Sequence, residues 1–219
     1  MGSEGPLPIT VHVTGFKKFY GVANNPTEVI VSNLKEFLKR RGMPGGIILG
    51  SCTVLEAAGH GVLPTLYQLM ESGRSEPFTN SSSDGPVIWL HFGANAGALK
   101  FAIERQAVNE ATFLCPDELG WQPQKLAIFP EDGGTFQTRK TTCCVDAIAE
   151  FLNKKGYDVA ISDDADVFVC NYIYYHSLRF AEQRGHKSLF IHVPLFSRID
   201  EDTQMEFAAS LLEALAVIC

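Results

Sequence analysis

The chain has 219 residues, 46% of them apolar, and a formal charge of −7; this suits one globular domain over residues 1–219 and is the wrong sign for a nucleic-acid partner. Lys and Arg are scattered, the opening Met1-Gly2-Ser3-Glu4-Gly5-Pro6 has no basic stretch followed by an apolar one, and no apolar run reaches the roughly 18–20 residues that span a bilayer, so export, lipidation and membrane insertion are not expected. Cys52, Cys115, Cys143, Cys144, Cys170 and Cys219 show no CxxC or Cys/His spacing, which disfavours zinc and redox motifs and fits a cytoplasmic protein without a disulfide framework.

Residues 9–13 alternate and are β-branched before Thr14-Gly15, predicting a first strand followed by a loop over residues 15–26. After Pro26, Ile30, Leu34, Phe37 and Leu38 recur at helical spacing up to Gly42. Residues 46–55 read as a strand, 63–71 as a short helix and 87–92 as a strong strand. The polar, Ser-rich stretch 73–86 reads as a surface loop, and the Asn80-Ser81-Ser82 sequon in it has no secretory context. Phe101, Ile103 and Val108 lie in an imperfectly alternating stretch that reads as strand. Residues 114–138, with three prolines and Gly133-Gly134, read as an irregular excursion or hairpin. A threonine-capped helix is predicted over 142–155, then a strand over 159–162, a helix over 171–183, a buried strand over 188–193 and a final helix over 202–217. Strands alternating with helices predict a three-layer α/β/α sandwich around a largely parallel, mixed sheet, with ligands at the carboxyl ends of strands.

Three residues at such ends carry chemistry. Cys170 follows the apolar run Val167-Phe168-Val169 and precedes a predicted helix, where unpaired backbone N–H groups favour a thiolate and receive an oxyanion. The competing reading is a small buried core residue. His192 stands at the end of a central strand before Val193-Pro194; alone, it reads equally as a histidine satisfied by a carbonyl. Glu104, read by itself, is an ordinary salt-bridge partner. The remaining histidines offer no metal-ligand spacing, and residues 93–100 lack the phosphate-loop and dinucleotide patterns. No metal or cofactor is expected.

Four ordered segments, Thr14-Gly15-Phe16-Lys17-Lys18-Phe19 with Asn25-Pro26, Glu104-Arg105-Gln106-Ala107-Val108-Asn109, Phe168-Val169-Cys170-Asn171 and Phe190-Ile191-His192-Val193-Pro194, together resemble the pyroglutamyl peptidase I family of cysteine peptidases over almost the whole chain. The resemblance implies hydrolysis of the amide bond after an N-terminal pyroglutamyl residue of small peptides, by way of an acyl-enzyme. It implies Cys170 as nucleophile, His192 as base and Glu104 as the acid that orients the imidazole. It further implies that Phe16 and Phe19 sandwich the pyroglutamyl ring, Phe168 and Val169 close the wall, Asn25 fixes the first loop, and members assemble as homo-oligomers.

The chain departs from the family pattern at several positions. Lys18 replaces a proline, Ala94 and Asn95 fall where a glutamine is common, Asp166 replaces a glycine before the nucleophile motif, and Leu114 aligns with an arginine. The departures keep two alternatives open: an impaired homologue that binds pyroglutamyl N-termini without efficient cleavage, and a cysteine hydrolase of altered specificity.

Overall fold

The computed structural model describes residues 7–73 and 85–219; the Asn80 sequon and most of the predicted 73–86 loop lie outside the described residues. In chain order the elements are β1 (Ile9–Phe16), α1 (Pro26–Arg41), β2 (Ile47–Leu55), a 3-10 turn at His60–Val62, α2 (Leu63–Ser72), β3 (Val87–Ala94) and β4 (Phe101–Glu104). The excursion holds β5 (Gln106–Val108), β6 (Glu110–Ala111), β7 (Leu126–Ala127), a 3-10 turn at Pro130–Asp132 and β8 (Thr138–Lys140). The chain finishes with α3 (Val145–Lys154), β9 (Val159–Ser162), α4 (Val169–Arg184), β10 (Lys187–Val193) and α5 (Glu201–Ile218).

The main sheet has the order β2-β1-β3-β10-β4-β9. Its first four strands are mutually parallel, whereas β4 and β9 run the other way, parallel to each other. The buried apolar residues of α1, α3 and α5 pack on one face and those of α2 and α4 on the other. This is the expected α/β/α sandwich around a largely parallel sheet. Strands β3 and β10 are central, so both their faces are covered and they read as continuous apolar runs. Among the described residues, no helix is long and apolar enough to cross a membrane.

Local chemistry fixes the segments that reach the site. Asn25 caps α1 by accepting from the Thr27 N–H at 3.0 Å, with Pro26 opening the helix and Gly42 ending it at φ 107°. Gly15 lets α1 lie against β1, since a Cβ there would stand 2.5 Å from the Thr27 carbonyl oxygen.

Several expectations need correction. Strand β1 runs on to Phe16, because Thr14, Gly15 and Phe16 stay paired with β2. The predicted strand at Phe101–Val108 is two pieces: β4 joins the main sheet, and β5 pairs with β8 beside it. Helix α3 starts at Val145 and has Cys144 at its N-cap, with no side-chain cap. The nearby threonine hydroxyl, that of Thr141, accepts from the Cys143 N–H at 3.1 Å and donates to the Ser188 carbonyl instead. Helix α4 starts at Val169, so Cys170 lies within its first turn, and the preceding apolar run is no strand.

Candidate active site

Sheet register sets the site. Thr14, His91, Phe190 and Glu104 form one cross-strand row over β1, β3, β10 and β4. Side chains alternate along a strand, so Gly93 and His192, two residues further on and paired with each other, share that face. Helix α4 packs on it and brings Cys170 down at the carboxyl ends of β3 and β10.

The sulfur of Cys170 sits directly above Gly93. A Cβ at residue 93 would stand 2.9 Å from Sγ and 2.7 Å from the Phe190 ring, so only glycine leaves room for the thiol. Around the sulfur, the first-turn N–H groups of α4 precede its first backbone bond, Tyr172 N–H to Phe168 carbonyl at 3.1 Å. The β9–α4 loop enters that turn through Asp166, whose φ of 65° is left-handed. Aspartate tolerates this region better than most residues, and its Oδ1 accepts from the Val167 N–H at 2.6 Å.

His192 and Glu104 are both buried, and His192 Nδ1 lies 2.7 Å from Glu104 Oε1. Glu104 Oε2 finds no hydrogen-bond partner among the described residues, so the imidazole is the carboxylate's side-chain partner. With Nδ1 engaged, Nε2 is the ring nitrogen left for the Cys170 sulfur, which lines the same pocket. Burial works against charge on His192, but the Cys170 sulfur and the Glu104 carboxylate outweigh it and push the imidazole up to about 10. The arrangement therefore favours the imidazolium form of His192.

A pocket of about 240 Å³ opens beside the sulfur. Phe16, Phe19, Asn25, Phe168 and Val169 all line it, together with Cys170 and His192. Phe16 is held against Phe190 and Phe168 against Phe113, with ring centroids 6.5 and 4.5 Å apart. Asn25 donates to the Lys17 carbonyl at 2.9 Å, tying the Phe16–Phe19 segment to the start of α1.

Other residues matter beyond those expected to act on the substrate. Asn95 and Asp166, noted in the sequence only as departures from the family pattern, line the pocket, as does Asp164, which the sequence did not single out. Asn171 is fully buried and clamps the excursion to α4: it donates to the carbonyls of Val108 and Glu110 and accepts from the Val108 N–H. Asn109 does the same within the excursion, bonding Phe129 through both N–H and carbonyl. Their place inside the two motifs was the available signal. Leu114 is 95% exposed and does not line the pocket.

Comparisons with known proteins identify the family and the fold. A family model described as pyroglutamyl peptidase matches residues 9–216. The pyrrolidone-carboxylate peptidase of Pyrococcus furiosus is 30% identical over 188 residues, 84% of this chain and 80% of its own. That of Escherichia fergusonii is 31% identical over 188 residues, 84% of this chain and 78% of its own. The solved pyrrolidone carboxyl peptidase of Thermococcus litoralis superposes with a TM-score of 0.77 at 25% identity, covering 94% of this chain and 92% of its own. The enzyme from Fervidobacterium islandicum shares the fold, with a TM-score of 0.80 at 24% identity, covering 96% and 100% of the two chains.

Proposed function

Since the chain belongs to the pyroglutamyl peptidase family and is a cysteine-type peptidase, we propose that it cleaves the amide bond after an N-terminal pyroglutamyl residue, using Cys170, His192 and Glu104. The observation that carries this reading is the buried Glu104–His192 pair, with Cys170 lining the same aromatic-walled pocket as His192.

The steps follow from the charges. The Cys170 thiolate attacks the pyroglutamyl carbonyl carbon, and the new oxyanion meets the N–H groups of the first turn of α4. His192 gives its Nε2 proton to the leaving amine nitrogen as the C–N bond breaks, and a thioester remains on Sγ. Neutral His192 then takes a proton from water, whose oxygen attacks the thioester. Collapse expels the thiolate, restores the imidazolium and releases pyroglutamate. Glu104 stays ionised and holds Nδ1–H, fixing the tautomer that presents Nε2 to sulfur and substrate.

The pocket suits the lactam. A pyroglutamyl ring is compact and neutral and has no ammonium group, so it requires apolar walls and a few polar anchors. Phe16, Phe19 and Phe168 supply the walls; Val169 with the Phe168 backbone offers the edge contacts, and Asn25 keeps the Phe16–Phe19 segment in place. A cytoplasmic setting, where thiols stay reduced, suits a cysteine nucleophile. The test is a panel of fluorogenic amides under reducing conditions. Release from the pyroglutamyl amide and not from prolyl or glutaminyl amides is expected, whereas equal release from all three would refute the ring specificity.

A further inference from the structure

The aromatic pocket is large enough for one small ring, so the remainder of a bound peptide lies at its mouth, and the mouth is charged. Asp164 and Asp166 line the pocket and are exposed, whereas among the described residues no lysine or arginine lines it. Neither carboxylate forms an ion pair among the described residues. Arg105 bonds Asp163, the residue before Asp164, at 2.9 Å, and Lys17, the residue after Phe16, bonds Glu56. Lys18 borders a separate cavity that it shares with Glu118.

Both carboxylates are fixed in place by the turn they belong to. Asp164 Oδ1 accepts from the Asp166 N–H at 3.0 Å, and Asp166 Oδ1 accepts from the Val167 N–H at 2.6 Å. Each uses one oxygen on the backbone and keeps the other for solvent or substrate.

Resting on the peptidase reading above, we propose that Asp164 and Asp166 set the charge preference of this enzyme, selecting pyroglutamyl peptides with lysine or arginine next after the pyroglutamyl residue over those with glutamate or aspartate. Fixed charges within a Debye length of about 10 Å at 0.1 M salt act on the substrate without needing direct contact. Two of them change kcat/KM by roughly threefold or more per unit of substrate charge at low ionic strength.

The experiment compares kcat/KM for pyroglutamyl-lysyl, pyroglutamyl-alanyl and pyroglutamyl-glutamyl peptide amides, in the parent and in the double variant Asp164→Asn/Asp166→Asn. Asparagine keeps the acceptor oxygens of the turn and tolerates left-handed φ, so the loop is preserved. The expected order in the parent is lysyl, alanyl, glutamyl, with the lysyl-to-glutamyl ratio falling towards one at high salt and in the double variant. Equal rates in the parent, a preference for the glutamyl substrate, or a ratio that survives in the double variant would overturn the proposal. Failure to cleave any of the three would overturn the peptidase reading itself and this inference with it.

Discussion

Glu104 Oε1 and His192 Nδ1 lie 2.7 Å apart across the antiparallel β4–β10 pairing, one pleat repeat out of register, so that a carboxylate opposite Phe190 reaches diagonally to the imidazole. The bond fixes the ring's tautomer and leaves Nε2 for chemistry. Glu104→Gln keeps the shape but presents an amide, and its expected effect is a fall in kcat of about two to four powers of ten with KM little changed. Steady-state kinetics on a pyroglutamyl amide measure it, and a change confined to KM would show that Glu104 acts on binding instead.

Gly93 supports the Cys170 thiol from below. In Gly93→Ala the new methyl would meet the Phe190 ring at 2.7 Å and the Cys170 sulfur at 2.9 Å, and both belong to packed elements. The expected outcome is a loss of about 1–3 kcal/mol of stability from overpacking, with the thiol displaced from His192. Urea unfolding and the rate of Cys170 alkylation check the two effects separately. An unchanged alkylation rate would show that the sulfur is held by α4 alone.

The imidazole of His192 is pushed up to about 10 by the Cys170 sulfur and the Glu104 carboxylate, against the opposing effect of burial. In the proposed mechanism its proton goes to the leaving amine, so kcat is expected to fall as pH rises through the folded value, well to the alkaline side of an ordinary histidine. A pH–rate profile tests this. A falling limb near the usual histidine value of about 6.5 would contradict it.

Two histidines outside the site govern acid stability. Burial pushes both His91 and His176 down to about 3. His91 is bonded on both ring nitrogens, to Thr14 Oγ1 and Ser177 Oγ, each at 2.7 Å, and His176 meets the Tyr67 hydroxyl at 2.8 Å. Their folded values lie below the unfolded one, so the unfolded chain binds more protons at intermediate pH. Stability falls as pH drops below about 6.5, by about 1.4 kcal/mol per pH unit for each histidine, until the folded values are reached. Denaturation midpoints between neutral and mildly acidic pH measure the slope. A His176→Gln variant with an unchanged slope would remove that residue from the account.

Much of this was legible from residues alone, for identifiable reasons. The continuous apolar runs of β3 and β10 mark central strands, and Asn25-Pro26 with Gly42 brackets α1 by capping chemistry. The motif residues at 16, 19, 25, 104, 168, 169, 170 and 192 converge because sheet register and the start of α4 bring them to one end of the molecule. Long-range pairing was not legible. Nothing local says that β4 reverses direction beside β10, although that reversal is what aims Glu104 at His192. Nor does local sequence say that Thr141 spends its hydroxyl on the Cys143 N–H and the Ser188 carbonyl, leaving α3 without a side-chain cap. The acidic mouth was half legible: Asp166 stood out as a departure from the family pattern, but Asp164 joins it as a rim only when their turn is laid beside the Phe16–Phe19 segment.

The central claim is that Cys170 carries the pyroglutamyl group during turnover. Rapid-quench mass spectrometry of the protein mixed with an activated pyroglutamyl ester tests it most directly. The account predicts a pyroglutamyl adduct on the peptide containing Cys170, formed and lost on the timescale of turnover, and absent from Cys170→Ala together with activity. Turnover that persists in Cys170→Ala, or an adduct on another cysteine, would contradict it.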